Sequence, residues 1–180
     1  DADCDTPKTC SRCGETEGTP LDHNWLDATC SAPETCSRCG ETRGQIMPDN
    51  HDYQGTVCIH CGRIGGKWGE HHSWHFDPTT GKLTISGTGD LPSMAGINPP
   101  WNDYASAITS LELEEGITSV GEQDFFLLTN LQKVELPESV TYIYDHAFSS
   151  CYALKELELP EGLLYIGNYA FWSCPQYTTI

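Results

Sequence analysis

The sequence predicts a mainly β protein that ends in a solenoid of short stacked repeats. Three observations lead to this fold class: a 23-residue period in the C-terminal half, alternating apolar segments inside each period, and a separate cysteine-rich repeat near the N-terminus. We expect cysteine-rich repeats at residues 1–66, a β-hairpin cap and linker at 67–105, and solenoid repeats at 106–180.

The 23-residue period is carried by aligned apolar positions. The aligned segments are 108–113, 131–136 and 154–159, followed in each repeat by a phenylalanine, Phe125, Phe148 or Phe171. Each repeat has a short alternating strand such as Leu157-Glu158-Leu159, which buries one face and exposes the other. A unit of this size cannot bury its apolar face alone, so the repeats must stack.

The segment before the first repeat predicts a cap on the solenoid. Two alternating segments within residues 74–89 flank Thr79-Thr80-Gly81, which is typical of a hairpin turn. A cap is physically required, because the first repeat otherwise exposes its apolar end to water.

The repeats resemble the BspA-like leucine-rich repeats of bacterial surface proteins. The pattern Leu-x-x-Leu-x-Leu-Pro-x-x-Leu-x-x-Ile-Gly-x-x-Ala-Phe-x-x-Cys occupies residues 154–174, and the resemblance covers about 108–180. Residues 74–101, with Trp101, are similar to the strand–turn–strand that precedes such repeats. The first repeat departs from the pattern at Asp124 and Leu128. The resemblance implies a surface or secreted protein of an anaerobic, host-associated bacterium that takes part in adhesion or protein binding.

The N-terminal repeat is of a different kind. A Cys-x5-Cys-x2-Cys-Gly motif begins at Cys4 and recurs 26 residues later at Cys30, and a shortened copy occupies 58–62. Because these units have few apolar residues and many turn residues, they need a covalent or metal staple to fold.

Zinc is the staple that we favour. A histidine follows each full copy, so that each copy offers three thiolates and one imidazole, a set suited to tetrahedral zinc. The expected ligands are Cys4, Cys10, Cys13 and His23 in one set, and Cys30, Cys36, Cys39 and His51 in the other. In the shortened copy, Cys58 and Cys61 would need two histidines, for which His71 and His72 are the candidates. We therefore expect two to three structural zinc ions.

Two alternatives stay open. His23 and His51 each lie seven residues before the next cysteine copy, so they could belong to the following unit and leave the first set incomplete. We prefer the first assignment because it leaves no cysteine unsupported. Disulfides are the other staple, expected in an oxidising space. However, an odd number of cysteines in each full copy pairs poorly.

Charge and motifs narrow the function. The formal net charge of −17, from 26 acidic and 9 basic residues, opposes binding to nucleic acid and to anionic lipid. No apolar run approaches the roughly 20 residues of a membrane span, so we expect no membrane insertion within this segment. Both chain ends look like cut points in a longer protein. No phosphate loop, Ser-His-Asp order or His-Glu-x-x-His motif is present, so we predict no enzyme.

We predict an extracellular or cell-surface binding module with a protein ligand. Tyrosines of the repeats, and an acidic ladder formed by Glu112, Glu135 and Glu158, are the candidate contact residues. One alternative is a structural spacer without a ligand of its own, and a less favoured one is a metal-buffering or redox protein.

Overall fold

The computed structural model of the protein describes residues 4–47 and 51–175. The chain divides into two compact units, Asp1–Gln54 with Cys58–Gly62 as unit 1, and Gly55–Val57 with Arg63–Ile180 as unit 2. The two chain ends, which we expected to be cut points, lie outside the described residues.

Unit 1 consists of short strands joined by tight turns. These strands are β1 (Lys8–Thr9), β2 (Thr16–Glu17), β3 (Trp25–Leu26), β4 (Glu34–Cys36), β5 (Thr42–Arg43) and β6 (Tyr53–Gln54), and β7 (Val57–Cys58) lies at the boundary. β1 pairs with β2, and β3, β4 and β5 form an antiparallel sheet. Among the described residues of unit 1, the buried hydrophobic side chains are Ala28 and three cysteines, Cys4, Cys36 and Cys58. Unit 1 therefore lacks the apolar core that would stabilise a domain of its size.

Unit 2 contains the longer strands. In chain order they are β8 (Ile64–Trp68), β9 (His72–Asp77), β10 (Lys82–Gly87), β11 (Gly89–Asp90), β12 (Ser110–Leu113), β13 (Ile117–Val120), β14 (Lys133–Glu135), β15 (Tyr142–Ile143), β16 (Glu156–Leu157) and β17 (Tyr165–Ile166). A 3-10 turn at Asn102–Tyr104 precedes β12. Among the described residues, no helix is long and apolar enough to cross a bilayer.

The predicted 23-residue period is confirmed by the strand register. β12, β14 and β16 pair in parallel in a first sheet, with Leu111 opposite Val134 and Val134 opposite Leu157. β11, β13, β15 and β17 form a second parallel sheet. Each repeat thus adds one strand to each sheet, which is the solenoid arrangement that the sequence predicts.

The predicted hairpin cap is also present. β9 and β10 pair antiparallel, and β10 then pairs in parallel with β12, so that Leu83 of the hairpin lies in register with Leu111 of the first repeat. The turn between β9 and β10 requires glycine at position 81, where φ is +72° and a Cβ atom would collide with the Thr109 hydroxyl.

A row of stacked aromatic rings runs along the core of unit 2. Trp101 packs on Phe125 at a centroid distance of 5.5 Å, and Phe125, Phe148 and Phe171 follow at 5.4 Å steps. Trp101, Phe125 and Phe148 are completely buried. Each repeat therefore contributes one ring to a continuous ladder, and Trp101 is the first ring of this ladder.

Cys151 and Cys174 support the same ladder as free thiols. The Cys151 thiol donates to the carbonyl oxygen of Phe125 at 3.3 Å, and the Cys174 thiol donates to that of Phe148 at 3.1 Å. These two cysteines pack and hydrogen-bond between successive repeats.

Candidate metal centres and exposed surface

Two clusters in unit 1 each bring three thiols and one imidazole together. The first site consists of Cys4, His23, Cys36 and Cys39, and the second site of Cys30, His51, Cys58 and Cys61. In each site one ligand atom from every residue lies within 4.8 Å of the other three. Both clusters could hold a metal ion.

The distances within the sites fit a tetrahedral ion with sulfur and nitrogen ligands. Zn–S bonds of about 2.3 Å and Zn–N bonds of about 2.1 Å imply tetrahedral edges of about 3.8 Å between sulfurs and about 3.6 Å between sulfur and nitrogen. The Sγ atoms of Cys4 and Cys36 are 3.6 Å apart, and Cys39 Sγ is 3.5 Å from His23 Nδ1. In the second site the Sγ atoms of Cys30 and Cys58 are 3.6 Å apart, and Cys61 Sγ is 3.5 Å from His51 Nδ1.

A tight turn, which we call the knuckle, presents two of the thiols in each site. In the first site the Gly40 N–H donates to the Cys36 carbonyl oxygen at 2.9 Å, and the Arg38 N–H points at Cys36 Sγ at 3.4 Å. In the second site the Gly62 N–H donates to the Cys58 carbonyl oxygen at 2.8 Å. Glycine ends each turn because φ is positive there, +77° at Gly40 and +73° at Gly62.

The groups of each site shift one another's pKa values. Burial raises the pKa of the Cys36 and Cys58 thiols, but backbone N–H groups and the histidine outweigh burial and lower each pKa to about 5. Burial and the neighbouring thiols raise the pKa of Cys4 and Cys30 to about 12. The pKa of His23 is raised to about 9, and its hydrogen bond to Cys36 is the largest cause. A divalent cation would allow all three thiols of a site to ionise together.

Two carboxylates orient the imidazole of the first site. His23 Nε2 lies 3.1 Å from Asp5 Oδ1 and 3.2 Å from Glu41 Oε2, so that Nδ1 faces Cys39. Outer carboxylates of this kind set the tautomer and the basicity of a metal-binding histidine. At the corresponding positions of the second site, one residue after the upstream cysteine and two after the last cysteine, the chain has Ser31 and Arg63.

The structure brings the ligands together in a different register from the one that we preferred. Cys4 and His23 meet the second knuckle, at residues 36–40, instead of the first, at residues 10–14, and Cys30 and His51 meet the third, at residues 58–62. The histidines thus belong to the following unit, the alternative left open above. The reason is the pairing of β3 with β4, which places Trp25 opposite Cys36 and so carries His23 to that knuckle.

Four of the predicted ligands lie outside both sites. Cys10 and Cys13 are exposed on the turn between β1 and β2, His71 is exposed, and His72 is buried in β9 beside Trp68 at a ring distance of 6.2 Å. Within the described ranges, these four residues belong to no group of three or more potential ligands.

Sequence reasoning missed the groups that support the ligands. Asp5 directly follows Cys4, and Glu41 lies two residues after Cys39. These positions do not identify the two carboxylates as histidine partners until the location of His23 is known. A repeated signal was nevertheless available. An aromatic residue follows each histidine by two positions, and its ring packs beside the imidazole, Trp25 at 4.8 Å from His23 and Tyr53 at 5.6 Å from His51.

An exposed aromatic cluster lies on the second sheet of unit 2. Tyr142, Tyr144 and Tyr165, which we call the tyrosine surface, have mutual centroid distances between 6.1 and 6.4 Å. Their exposed fractions are 39%, 41% and 43%. Beside them His146 stacks on Tyr169 at 5.2 Å. Aromatic rings that cluster in this way leave a contiguous apolar patch in contact with water.

The predicted acidic ladder is partly neutralised on the first sheet. Glu112 and Glu135 lie opposite one another on β12 and β14. Each forms an ion pair at 2.7 Å, Glu112 with Lys82 and Glu135 with Lys133. These pairs lower the pKa of Glu135, chiefly through the Lys133 hydrogen bond. The first sheet is therefore a mixed-charge face, and the second sheet is the aromatic one.

Comparisons with known proteins agree with the repeat architecture. The family described as BspA type leucine-rich repeat region matches residues 103–180 with six copies. A leucine-rich repeat protein of known crystal structure from Eubacterium ventriosum is 29% identical with a TM-score of 0.52, over 62% of this chain and 36% of that chain. A leucine-rich repeat protein from T. pallidum is 20% identical with a TM-score of 0.32, over 59% of this chain and 66% of that chain. No curated protein sequence matches.

The chain spans about a third of the E. ventriosum protein. The matched region coincides with the stacked strands and with the Phe125–Phe148–Phe171 ladder. Residues 103–180 therefore match the BspA type leucine-rich repeat region, and their fold is a mainly β solenoid.

Proposed function

We propose that this chain is a non-catalytic binding module of a bacterial surface or secreted protein, and that the tyrosine surface contacts a protein ligand. Leucine-rich repeats in general serve as protein-interaction modules, and the family resemblance favours an extracellular or surface location and a role in adhesion. The observation that carries the proposal is the exposure of three adjacent tyrosine rings, 39–43% each. Tyrosine is enriched at protein interfaces because a rigid ring buries a large area and its hydroxyl still finds a partner.

The charge of the chain favours the same class of ligand. A formal net charge of −17 repels nucleic acid and anionic lipid. The mixed-charge face around Glu112 and Glu135 can attract basic side chains on a protein partner, as a secondary contribution.

The test measures binding of the fluorescent full-length chain to intact host cells and to bacterial cells, before and after trypsin treatment of those cells. We expect saturable binding that trypsin removes and that Tyr142→Ala/Tyr165→Ala weakens about tenfold or more, as for interface aromatic residues. The matched control is Tyr152→Ala, because Tyr152 is 57% exposed but lies outside the tyrosine surface. Unchanged binding of the double variant contradicts the proposal. An absence of binding by the wild-type chain favours the alternative of a structural spacer.

We also propose that both sites of unit 1 hold structural zinc. The supporting observation is that cysteines supply most of the buried hydrophobic side chains of unit 1 among its described residues. Each site offers four protein ligands, Cys3His, which leaves no open position for catalysis.

Metal analysis of the reduced chain tests this second proposal. We expect two tightly bound zinc ions, of which Cys4→Ser weakens one and Cys30→Ser the other, while Cys174→Ser in unit 2 weakens neither. A chelator should unfold unit 1, because the binding energy of structural zinc is also folding energy. Retention of the fold after complete metal removal favours the metal-buffering alternative, and disulfide-linked cysteines without metal favour the oxidised alternative.

A further inference from the structure

The first knuckle, at residues 10–14, has the same backbone as the knuckles of the two sites. The Gly14 N–H donates to the Cys10 carbonyl oxygen at 2.9 Å, and the Cys10 N–H donates to the Glu15 carbonyl oxygen at 2.8 Å. In the second knuckle the same two hydrogen bonds start from Gly40 and Cys36, also at 2.9 and 2.8 Å. Gly14 and Gly40 share a φ of +77°. The turn that presents two thiols to an ion is therefore already formed.

The two thiols of the first knuckle are open to solvent. Cys10 and Cys13 are both exposed, while Cys36, the equivalent of Cys10, is only 1% exposed. They line a cleft of about 760 Å³, where Cys13 Sγ lies 3.9 Å from a carboxylate oxygen of Glu15. The cleft is wide enough for groups from another molecule or chain segment to approach the thiols.

The register of the two complete sites leaves the first knuckle without a third thiol or an imidazole among the described residues. In the first site, Cys4 and His23 lie 32 and 13 residues before Cys36. In the second site, Cys30 and His51 lie 28 and 7 residues before Cys58. Both donors thus belong to the repeat that precedes the knuckle. Cys4 and His23, which lie nearest to the first knuckle in sequence, are already ligands of the first site. Among the described residues, Cys10 and Cys13 belong to no group of three or more potential ligands.

We propose that Cys10 and Cys13 form half of a third zinc site, which is completed by ligands from another repeat unit. In solutions of this chain, the available donor is the same knuckle of a second copy. Two copies then share one zinc ion through four thiolates, which is a common structural coordination of zinc. This inference rests on the proposed zinc binding at the first and second sites.

The experiment titrates zinc into the reduced full-length chain and follows it by native mass spectrometry and by sedimentation velocity. We expect two zinc ions per monomer first, and then a dimer with five zinc ions for two chains. The variant Cys10→Ser/Cys13→Ser should stop at two zinc ions and remain monomeric. Ser11→Ala, a change in the same knuckle that removes no thiol, should behave as the wild type.

Three other results would contradict the shared site or the zinc binding on which it rests. Two zinc ions per chain without a dimer at excess zinc overturn the shared half-site and leave the first and second sites intact. Loss of a tightly bound zinc ion from Cys10→Ser/Cys13→Ser also overturns it, because Cys10 and Cys13 would then be ligands of a complete site. Fewer than two zinc ions in the wild-type chain contradict the proposed metal binding itself.

Discussion

Asp124 is a buried acid that should make the stability of unit 2 depend on pH. It occupies the position that Ala147 and Ala170 occupy in the later repeats, and it is completely buried. Its Oδ2 accepts a hydrogen bond from the Gly121 N–H at 2.6 Å, while Oδ1 has no hydrogen-bond partner among the described residues. Desolvation raises the pKa of Asp124 from 3.8 to about 8, against the opposing effect of backbone N–H groups at Gly121 and Met94.

The sign and size of the effect follow from this shift in pKa. The folded state binds the proton of Asp124 more tightly than the unfolded state does, so the free energy of unfolding decreases as pH rises from about 4 to about 8 and is level above that. At about 1.4 kcal/mol for each pKa unit, this one group contributes a slope of about −1.4 kcal/mol per pH unit between pH 5 and 7. The full loss is on the order of 6 kcal/mol.

Urea unfolding at pH 5, 6 and 7, followed by tryptophan fluorescence, measures this slope. Asp124→Asn removes the titration but keeps an oxygen that accepts from Gly121, so the wild type should lose stability relative to the variant as pH rises. Asp103→Asn is the matched control, because Asp103 is exposed in the same unit. Parallel pH profiles for the wild type and Asp124→Asn would refute the reasoning.

Three further changes test the metal sites, the aromatic ladder and the backbone of the repeats. Asp5→Asn should weaken zinc binding at the first site about tenfold, because the His23 imidazole loses a hydrogen bond that orients it. Chelator competition should find zinc binding at the second site unchanged, and equal weakening at both sites would argue against this role of Asp5. Phe148→Ala should lower the free energy of unfolding in urea by about 3–5 kcal/mol, because the ring is completely buried between two others. Phe171→Ala should lower it less, since Phe171 is only partly buried, and a reversed order would contradict the ladder. Leu127→Asn should raise the free energy of unfolding by up to about 1 kcal/mol, because φ is +62° at this exposed leucine; Leu164→Asn, at another exposed leucine with φ outside the left-handed region, should show no gain.

The two sites of unit 1 are interleaved along the chain. The first site extends from Cys4 to Cys39 and the second from Cys30 to Cys61, so Cys30 lies between two ligands of the first site. Each site therefore joins one cysteine-rich repeat to the next, as stacked side chains join the repeats of unit 2. Under the proposed zinc binding, coordination would hold repeats that have almost no apolar core, in place of hydrophobic stacking.

The sequence alone determined the solenoid. A 23-residue period with two-residue alternation specifies which side chains face inward, and parallel stacking then brings Leu111, Val134 and Leu157 into register. The prediction succeeded because every contact of this kind joins equivalent positions of neighbouring repeats, so the period itself encodes the pairing.

Only the tertiary structure decided which cysteines meet. The cysteine period is the same whether a histidine completes its own copy or the next one, so spacing does not separate the two arrangements. The choice depends on the antiparallel pairing of Trp25 with Cys36, a contact that crosses from one cysteine copy to the next and that the spacing does not encode. The tyrosine surface follows from the period in part, because Tyr142 and Tyr165 are 23 residues apart and pair in register, but the exposure of its three rings, 39–43% each, was decided by the tertiary structure.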